Sequence, residues 1–335
     1  MTVKITILGL GQIGASIGLA LANHKDQVTT VGHDSSPEIT RKAHKLGAVE
    51  AVKHNLPASV EGADVIILAL PLDQIYATLK FIAEDVRAEA VVMDTAPAKM
   101  AVAAWMKELL PPNRHYVGLT PALNPLALEE AGRGLEAART DLFVKGLVAV
   151  SAPEGAAGDA LKLAASFVTL LGAEPYFVDL AEVDGIMAAG HLLPGLAAAA
   201  LTQTIMGQPG WADIRKLAGK PFAAAMRLLE MEEPNALAEI ALQNSVNTLR
   251  LLDGYIATLN SLRDEVAGEQ KEKIQTRFGE AVRDLEQWRQ ERYKGNWQAV
   301  EFGRLEMPKT GDILKQQVGG LDKLFGRRKR KSDTE

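Results

Sequence analysis

The chain has 335 residues, of which 47% are hydrophobic and 24% are charged, and it contains no cysteine. These values predict a soluble globular protein that is long enough for two domains, and they exclude disulfides and thiolate metal sites. The formal net charge of -5 gives no overall basic field, so we do not expect nucleic acid to be the main partner.

The N-terminal residues "MTVKITILGLG" run directly into a strand pattern and lack the features of a secretory signal. The most apolar stretch, residues 186–201, carries a histidine and a proline and is expected to be too short to span a bilayer. These features predict a cytoplasmic protein that does not bind a membrane.

The first structural element is predicted by "VKITILGLGQIGASIGLALAN", a β-branched run followed by a glycine-rich turn and an amphipathic helix pattern. Gly9, Gly11 and Gly14 form the turn, with Gln12 and Ile13 between the last two glycines. In a dinucleotide-binding turn the first glycine permits the tight turn, the second lets a pyrophosphate approach, and the third lets the helix pack closely. The free amides of the helix N-terminus then face the phosphates. This order predicts a dinucleotide-binding site.

A second apolar run, "VTTVGHD", ends at Asp34, 20 residues after Gly14. An acidic side chain at this place accepts hydrogen bonds from the adenosine ribose. The nearest arginine is Arg41, and a carboxylate would repel a phosphate on the ribose. We therefore expect the cofactor to be NAD, and NADP less readily.

The alternation of strand and helix patterns continues to about residue 180, with strands predicted at 63–71, 89–95, 115–119, 146–152 and 175–180. It predicts an α/β fold with a doubly wound, mostly parallel sheet over residues 1–180. Ligands of such sheets bind at the carboxyl ends of the strands, which places residues 69–71, 94–99 and 118–124 around the cofactor. The first of these segments is Ala69, Leu70 and Pro71.

After residue 180 the strand patterns stop, and residues 181–300 are predicted to form an all-α domain of long, alanine-rich amphipathic helices. Such helices require a partner surface, so we expect this domain to form a homodimer and to contribute to the substrate site. Residues 301–335 form a C-terminal extension whose end, "GRRKRKSDTE", is expected to be a disordered basic tail.

Four stretches together resemble the prephenate and arogenate dehydrogenases: "GLGQIGASIGLAL", "GLEAARTDLF", "LAGKPFAAAMR" and the helix pattern at 236–266. The resemblance implies a Rossmann domain followed by a helical dimerisation domain like that of 6-phosphogluconate dehydrogenases, with the active site between them. It also implies an NAD-dependent oxidative decarboxylation of prephenate or arogenate, as in tyrosine biosynthesis, for which no metal is required.

Two cations match those of the family. Arg227 follows Phe222 by five residues, as the family's substrate-binding arginine does, and a guanidinium can bind a carboxylate in bidentate geometry. The alternative is a surface arginine that pairs with Glu230 or Glu232. Lys99 matches the lysine of the family motif D-x-x-S-x-K.

The family's catalytic histidine and serine are replaced. "TPALN" stands where the family has H-P-M-A-G, so Thr120 takes the place of the histidine, and "DTAPAK" puts Pro97 at the serine. Threonine can hydrogen-bond a hydroxyl but cannot accept a proton near neutral pH. Alignment on Pro194 sets "HLLPG" against S-H-L-P-H, which makes His191 the remaining acid/base candidate. The alternative for His191 is a buried structural histidine.

Three functions therefore stay open. The chain is a prephenate or arogenate dehydrogenase with rearranged polar groups, or a dehydrogenase or reductase of the same architecture for another small carboxylic acid. The third alternative is an NAD-binding dimer without catalytic activity, which the replaced histidine and serine would favour.

Overall fold

The computed structural model describes residues 2–128 and 132–295. These residues form an eight-stranded sheet with the order β3-β2-β1-β4-β5-β6-β7-β8. The strands are β1 (Val3–Leu8), β2 (Val28–His33), β3 (Ala51–Val52), β4 (Val65–Leu68), β5 (Val91–Asp94), β6 (His115–Ala122), β7 (Leu147–Ser151) and β8 (Glu174–Phe177). Neighbouring strands are parallel except for β6 and β7, which pair antiparallel.

Helices cover both faces of this sheet. They are α1 (Gln12–Leu21), α2 (Pro37–Leu46), α3 (Leu56–Val60), α4 (Leu72–Ile82), α5 (Lys99–Leu109) and α6 (Gly158–Leu170). The side chains of β4 alternate between two cores, with Val65 and Ile67 on one face and Ile66 and Leu68 on the other. A strand buried on both faces is a continuous apolar run, which explains the pattern "VIIL". The predicted doubly wound α/β fold is confirmed.

Several strand boundaries differ from the predictions, and one short strand was not predicted. The two-residue strand β3 was not predicted, because its residues are not buried and carry no alternating pattern. Strand β6 continues to Ala122, three residues further than expected, because its end pairs with β7. Strand β8 ends at Phe177, because Asp179 already caps the next helix through the amide of Glu182.

From Leu180 onward the described residues form no strand, which confirms the predicted all-α second domain. Its helices are α7 (Leu180–Met187), α8 (Leu193–Met206), α9 (Trp211–Leu217), α10 (Lys220–Met226), α11 (Pro234–Gln243), α12 (Ser245–Ala267) and α13 (Lys271–Lys294). The predicted extension at 301–335 lies outside the described residues.

Helices α12 and α13 form a long hairpin. The 23 residues of α12 span about 34 Å at 1.5 Å per residue. Helix α13 returns to the sheet, where Arg292 Nη2 donates to the carbonyl oxygen of Leu123 at 2.7 Å. Arg292 is 8% exposed, and burial lowers the pKa of its guanidinium. The end of α13 is therefore joined to the segment that follows β6.

Helices α7 and α8 are joined by a π-helical turn, Ala188–Leu192, into one helix that runs from Leu180 to Met206. This helix has 27 residues and an 18-residue window of mean hydropathy 1.4. By length and composition it could cross a membrane, so the expectation that this stretch is too short was wrong. Core helices of soluble proteins pass the same test but are mostly buried, whereas 22% of this window is buried. In this structure α7 packs against α5 and joins the two domains.

Candidate functional site

The turn between β1 and α1 requires glycine at two positions. Gly9 has a φ of +89°, and a Cβ there would overlap the carbonyl oxygen of Ala69. A Cβ on Gly14 would overlap the carbonyl oxygen of Gly9, so α1 can approach the turn this closely only with glycine. In contrast, a Cβ on Gly11 would meet no atom within 4 Å. The backbone at Gly11 therefore borders open space, as it must where a phosphate group approaches.

Asp34 follows β2 and is hydrogen-bonded to the same turn. Its Oδ2 accepts from the amide of Leu10 at 2.9 Å, and its Oδ1 accepts from the amide of Ser36 at 2.9 Å. The amide of Gly9 also donates to the carbonyl oxygen of His33. A carboxylate has about four acceptor sites. Each oxygen of Asp34 therefore keeps capacity to accept from a ligand hydroxyl.

The other predicted cofactor-binding residues surround this turn. Ala69, Leu70 and Pro71 leave the carboxyl end of β4, and the amide of Ala69 bonds to β1. Gln12 and Ile13 form the first turn of α1, which no side chain caps. Uncapped amides at the positive end of a helix dipole favour a bound phosphate. The residues present thus fit the pyrophosphate and adenosine ribose of a dinucleotide.

A buried polar cluster lies behind the ends of β5 and β6. Lys99 Nζ is 2.7 Å from Asp94 Oδ1, and the Tyr116 hydroxyl donates to Asp94 Oδ2 at 2.7 Å. Asp94 and Lys99 are fully buried, and Tyr116 is 7% exposed. Burial lowers the pKa of the Lys99 ammonium, an effect that the pairing with Asp94 opposes. Burial and the same carboxylate raise the pKa of the Tyr116 hydroxyl well above its usual value.

The structure contradicts the expectation that Lys99 binds a substrate. An ammonium has three N–H donors. Those of Lys99 are directed at the Asp94 carboxylate, the Asp94 carbonyl oxygen at 3.1 Å and the Leu119 carbonyl oxygen at 2.9 Å. Lys99 therefore joins the end of β5 to β6, immediately before Thr120, and is not exposed to a ligand.

A second buried acid, Asp184 of α7, joins the two domains. Its Oδ1 accepts from the amide of Lys99 at 2.5 Å and its Oδ2 from the amide of Met100 at 3.2 Å, so Asp184 caps α5. Its carbonyl oxygen accepts from Asn244 Nδ2 at 2.7 Å. Burial raises the pKa of the Asp184 carboxyl, although both amides oppose the shift. The role of Asp184 was not predicted from the sequence, where its signal is an acid just ahead of the apolar stretch "GIMAAG".

Thr120 lies within β6, opposite Ala149 of β7, and not after the strand as predicted. Its side chain is 9% exposed, and its Oγ1 is buried without a hydrogen-bond partner among the described residues. Buried hydroxyls are ordinarily hydrogen-bonded. The Thr120 hydroxyl therefore has no protein hydrogen bond to lose, although its oxygen is closed to a ligand in this structure. Pro97, between β5 and α5, provides no donor.

His191 lies in the π-helical turn between α7 and α8, three residues before Pro194. Its side chain is 36% exposed, whereas the neighbouring Leu192 is fully buried, so His191 is the one of these two positions that reaches a surface. Its Nε2 is buried without a hydrogen-bond partner among the described residues. Glu232 Oε1 lies 3.9 Å from this nitrogen.

Arg227 begins a 3-10 turn, Arg227–Glu230, between α10 and α11, and it is exposed. Within the described part of the chain it pairs with neither Glu230 nor Glu232, the alternative considered from the sequence. Arg133 of the first domain instead donates to the Glu230 carbonyl oxygen at 3.1 Å and pairs with Glu233 at 3.0 Å. Arg227 thus lies where the two domains are in contact, with its own guanidinium unpaired among residues 2–128 and 132–295.

The structure therefore brings together the predicted cofactor-binding residues, but it does not join the remaining candidates in one cluster. Thr120 lies at the sheet, and His191 and Arg227 lie in the helical domain. Among the described residues no hydrogen bond links the Thr120 hydroxyl to either of them.

Comparison with known families decides the class of protein. Residues 17–177 match the family described as "Prephenate dehydrogenase, nucleotide-binding domain". Residues 180–280 match "Prephenate dehydrogenase, dimerization domain". The chain belongs to the prephenate dehydrogenase family. Membership confirms the resemblance seen in the sequence and the enzyme class that it implied, an NAD-dependent dehydrogenase.

Two relatives of the chain share about a quarter of its residues. A cyclohexadienyl dehydrogenase of Zymomonas mobilis subsp. mobilis is 25% identical over 279 residues, which are 83% of this chain and 93% of that protein. A prephenate dehydrogenase of Bacillus subtilis is 25% identical over 274 residues, 81% of this chain and 72% of that protein.

Solved structures of prephenate dehydrogenases share the fold. The prephenate dehydrogenase of A. aeolicus, in complex with hydroxyphenyl propionate and NAD+, is 21% identical with a TM-score of 0.73. The match covers 85% of this chain and 98% of that one. Arogenate dehydrogenase of Synechocystis is 24% identical with a TM-score of 0.65, over 85% of this chain and 99% of that one.

Proposed function

We propose that this member of the prephenate dehydrogenase family catalyses the NAD-dependent oxidative decarboxylation of prephenate or arogenate. The observation that carries the proposal is the match of both halves of the chain to that family, together with a glycine turn and an Asp34 carboxylate arranged for a dinucleotide. Enzymes of this family act in biosynthesis, which supports a cytoplasmic location.

Asp34 and the turn at Gly11 would hold the cofactor. Asp34 keeps acceptor capacity for the ribose hydroxyls and would repel a ribose phosphate, which favours NAD over NADP. Arg41, the nearest arginine in sequence, directs its Nε to the Pro37 carbonyl oxygen. When bound, the nicotinamide accepts a hydride from the substrate ring.

Three side chains would then act on the acid. Arg227 binds a carboxylate, because its guanidinium is exposed at the contact between the domains and is unpaired among the described residues. Thr120 would hydrogen-bond the ring hydroxyl through its unpartnered Oγ1, which a movement of the surrounding residues must first expose. His191 takes the hydroxyl proton, since threonine cannot.

The reaction balances without a further reactant. The hydride leaves the carbon that bears the hydroxyl, and the hydroxyl proton passes to the base. The bond to the ring carboxylate then breaks and releases carbon dioxide, and its electron pair makes the ring aromatic. The ring oxygen regains the proton. The protein's contribution is to orient the ring and to hold this proton.

The working enzyme would be a homodimer formed through the helical domain. Four apolar side chains of α13 lie on one side of the helix, at a spacing of i, i+4, i+7 and i+10, and we call them the α13 stripe. They are Phe278 at 59% exposure, Val282 at 55%, Leu285 at 45% and Trp288 at 48%. A patch of this kind on a domain described as a dimerisation domain supports an interface between two copies.

The test is a panel of prephenate, arogenate and simple 2-oxo and 2-hydroxy acids with NAD, followed by nicotinamide absorbance and release of carbon dioxide. Reduced cofactor and carbon dioxide with prephenate or arogenate would support the proposal. Reduction with another acid alone would move the function to a dehydrogenase of the same fold.

The replaced histidine and serine favour a second candidate, an NAD-binding dimer without activity. At their positions Thr120 cannot act as a base and Pro97 has no donor. Tight NAD binding by calorimetry without turnover of any acid in the panel would select this candidate.

A further inference from the structure

Glu232 lies beside His191, two residues before α11 begins. Its Oε1 is 3.9 Å from His191 Nε2, and the two side chains are 28% and 36% exposed. We infer that Glu232 is a positioning residue that holds the His191 ring through Nε2, so that Nδ1 faces the substrate. The part of this inference that concerns a substrate rests on the proposed function.

The burial of the ring is uneven. Nε2 is buried and has no hydrogen-bond partner among the described residues, although more than a third of the side chain is exposed. The exposed part of His191 therefore belongs to the other ring atoms. Nδ1 is not among the buried polar atoms that lack a partner. The ring thus presents one nitrogen to Glu232 and the other to open space.

The separation from Glu232 is slightly longer than a hydrogen bond. An N–H···O bond has a donor–acceptor distance of about 2.7 to 3.2 Å. Rotation of the flexible Glu232 side chain can close the remaining gap. A carboxylate on Nε2 fixes the proton on that nitrogen, and Nδ1 is then the acceptor. This is the protonation state that a base for a substrate hydroxyl requires.

Three other charged groups on the helices around this turn have partners of their own. Helices α7, α11 and α12 pack against it. Asp184 of α7 caps α5, Glu239 of α11 accepts from Gln243 at 2.8 Å, and Arg250 of α12 donates to Asn247 at 3.4 Å. Among the described residues Glu232 is the carboxylate within 4 Å of His191.

The helix geometry supplies an independent reason. Pro194 has no N–H to continue the regular hydrogen-bond pattern, and the helix widens into a π turn at Ala188–Leu192. A π turn adds a residue to the turn and redirects its side chains, and such turns are frequent at functional sites. The same turn that carries His191 therefore sets the direction in which its ring points.

Kinetics with saturating NAD test the functional part. Glu232→Ala should lower kcat with the acid about tenfold and leave the KM for NAD unchanged, whereas His191→Gln should lower kcat by ~100-fold or more. Glu232→Asp should recover part of the loss. Glu230→Ala is the matched control, because it removes an exposed carboxylate two residues away and should keep full activity. Equal kcat values for Glu232→Ala and the unmodified enzyme would overturn the inference.

NMR of the full-length protein labelled with 15N-histidine tests the pairing without turnover. The His191 signals are assigned by their loss in His191→Gln. A downfield Nε2–H proton that is present in the unmodified protein and in Glu230→Ala, and absent in Glu232→Ala, supports the pairing. Identical His191 signals with and without Glu232 overturn it. If no acid is turned over, the proposed function fails, and this spectrum still decides whether Glu232 holds the ring.

Discussion

The two halves of the chain bury their apolar side chains to different extents. Strands β1, β4 and β5 are almost completely buried, and the sheet packs against helices on both faces. In the second half the fully described helices α9 and α10 contain no buried residue. Leu217 and Val246 are 89% and 81% exposed. The nucleotide-binding half thus folds around its own core, whereas the helical half has apolar surface for another molecule to cover.

The largest expected effect is on dimer association, because the apolar surface of the helical half requires a second copy of the chain to cover it. Leu285→Asp places a charge in the α13 stripe. Loss of a buried leucine costs about 1.5 to 3 kcal/mol, and a two-fold symmetric dimer contains the substitution twice, so association should weaken by roughly 3 to 6 kcal/mol. Light scattering across a dilution series measures this effect against the chain mass of 36.0 kDa.

The control for this prediction is Gln287→Asp, which adds the same charge about 200° around the helix. It should leave the dimer intact. A Leu285→Asp protein that remains dimeric at the same concentrations would show that the α13 stripe is not the interface.

The nucleotide-binding half should instead be sensitive to its buried ion pair. Lys99→Met leaves the Asp94 carboxylate buried without its cation, and loss of one partner of a buried pair costs about 3 to 5 kcal/mol. Urea unfolding at fixed protein concentration measures it. Lys162→Met breaks an exposed pair with Asp159 and should cost at most about 1 kcal/mol. Equal losses of unfolding free energy for the two variants would contradict the burial of the pair between Lys99 and Asp94.

Much of the first half could be predicted because its patterns are local. A strand, a glycine turn and a helix follow one another directly, and Asp34 comes immediately after the next strand. The roles of Lys99 and Asp184 could not be predicted in this way. They depend on contacts with Leu119 and with α5 that join residues far apart in the chain. The residue type alone does not show whether a lysine or an aspartate is buried in an ion pair or exposed to a ligand.

Boundaries in the second half were less predictable for a related reason. The helices α7 and α8 were expected from periodicity, but the π turn at His191 follows from the missing N–H of Pro194 and cannot be seen in the hydrophobic pattern. Because one residue rotates a helix by ~100°, such a turn changes which side chains share a face. The position of Glu232 beside His191 is likewise a contact between separate elements.

Arg227 tests whether the contact between the two halves holds the substrate. A charge-assisted pair contributes roughly 1.5 to 3 kcal/mol, so Arg227→Ala should weaken acid binding about ten- to a hundredfold. Arg227→Lys should recover part of this loss, because an ammonium does not reproduce the planar fork. Affinity for NAD, measured by calorimetry, should not change. Unaltered KM and kcat for every active acid would show that another cation binds the carboxylate.

A substitution of Asp34 tests which cofactor the nucleotide-binding half prefers. Two unit charges about 4 Å apart in water repel by roughly 1 kcal/mol. Asp34→Asn removes this repulsion toward a ribose phosphate and should shift the ratio of NADP to NAD affinity by about fivefold toward NADP. Calorimetry of both variants with both cofactors gives the ratio. An unmodified protein that binds NADP as tightly as NAD would show that Asp34 does not contact the ribose.

The smallest effect is expected at Asp184, where the two halves are joined, and it changes the slope of stability with pH. Burial raises the pKa of this carboxyl, so the native chain holds the proton to a higher pH than the unfolded chain does. As the pH rises above about 3.9, the usual value for aspartate, the unfolded chain loses its proton first and the free energy of unfolding falls until the native pKa is passed.

Asp184→Asn lacks this contribution. The free energy of unfolding of the unmodified protein, minus that of Asp184→Asn, should therefore decrease from pH 4 upward and then become constant. Urea unfolding of both proteins from pH 4 to 7 measures the difference. A difference that increases with pH would mean that the amides of Lys99 and Met100 outweigh the burial of the carboxylate, and that the joint between the halves is held by its charge.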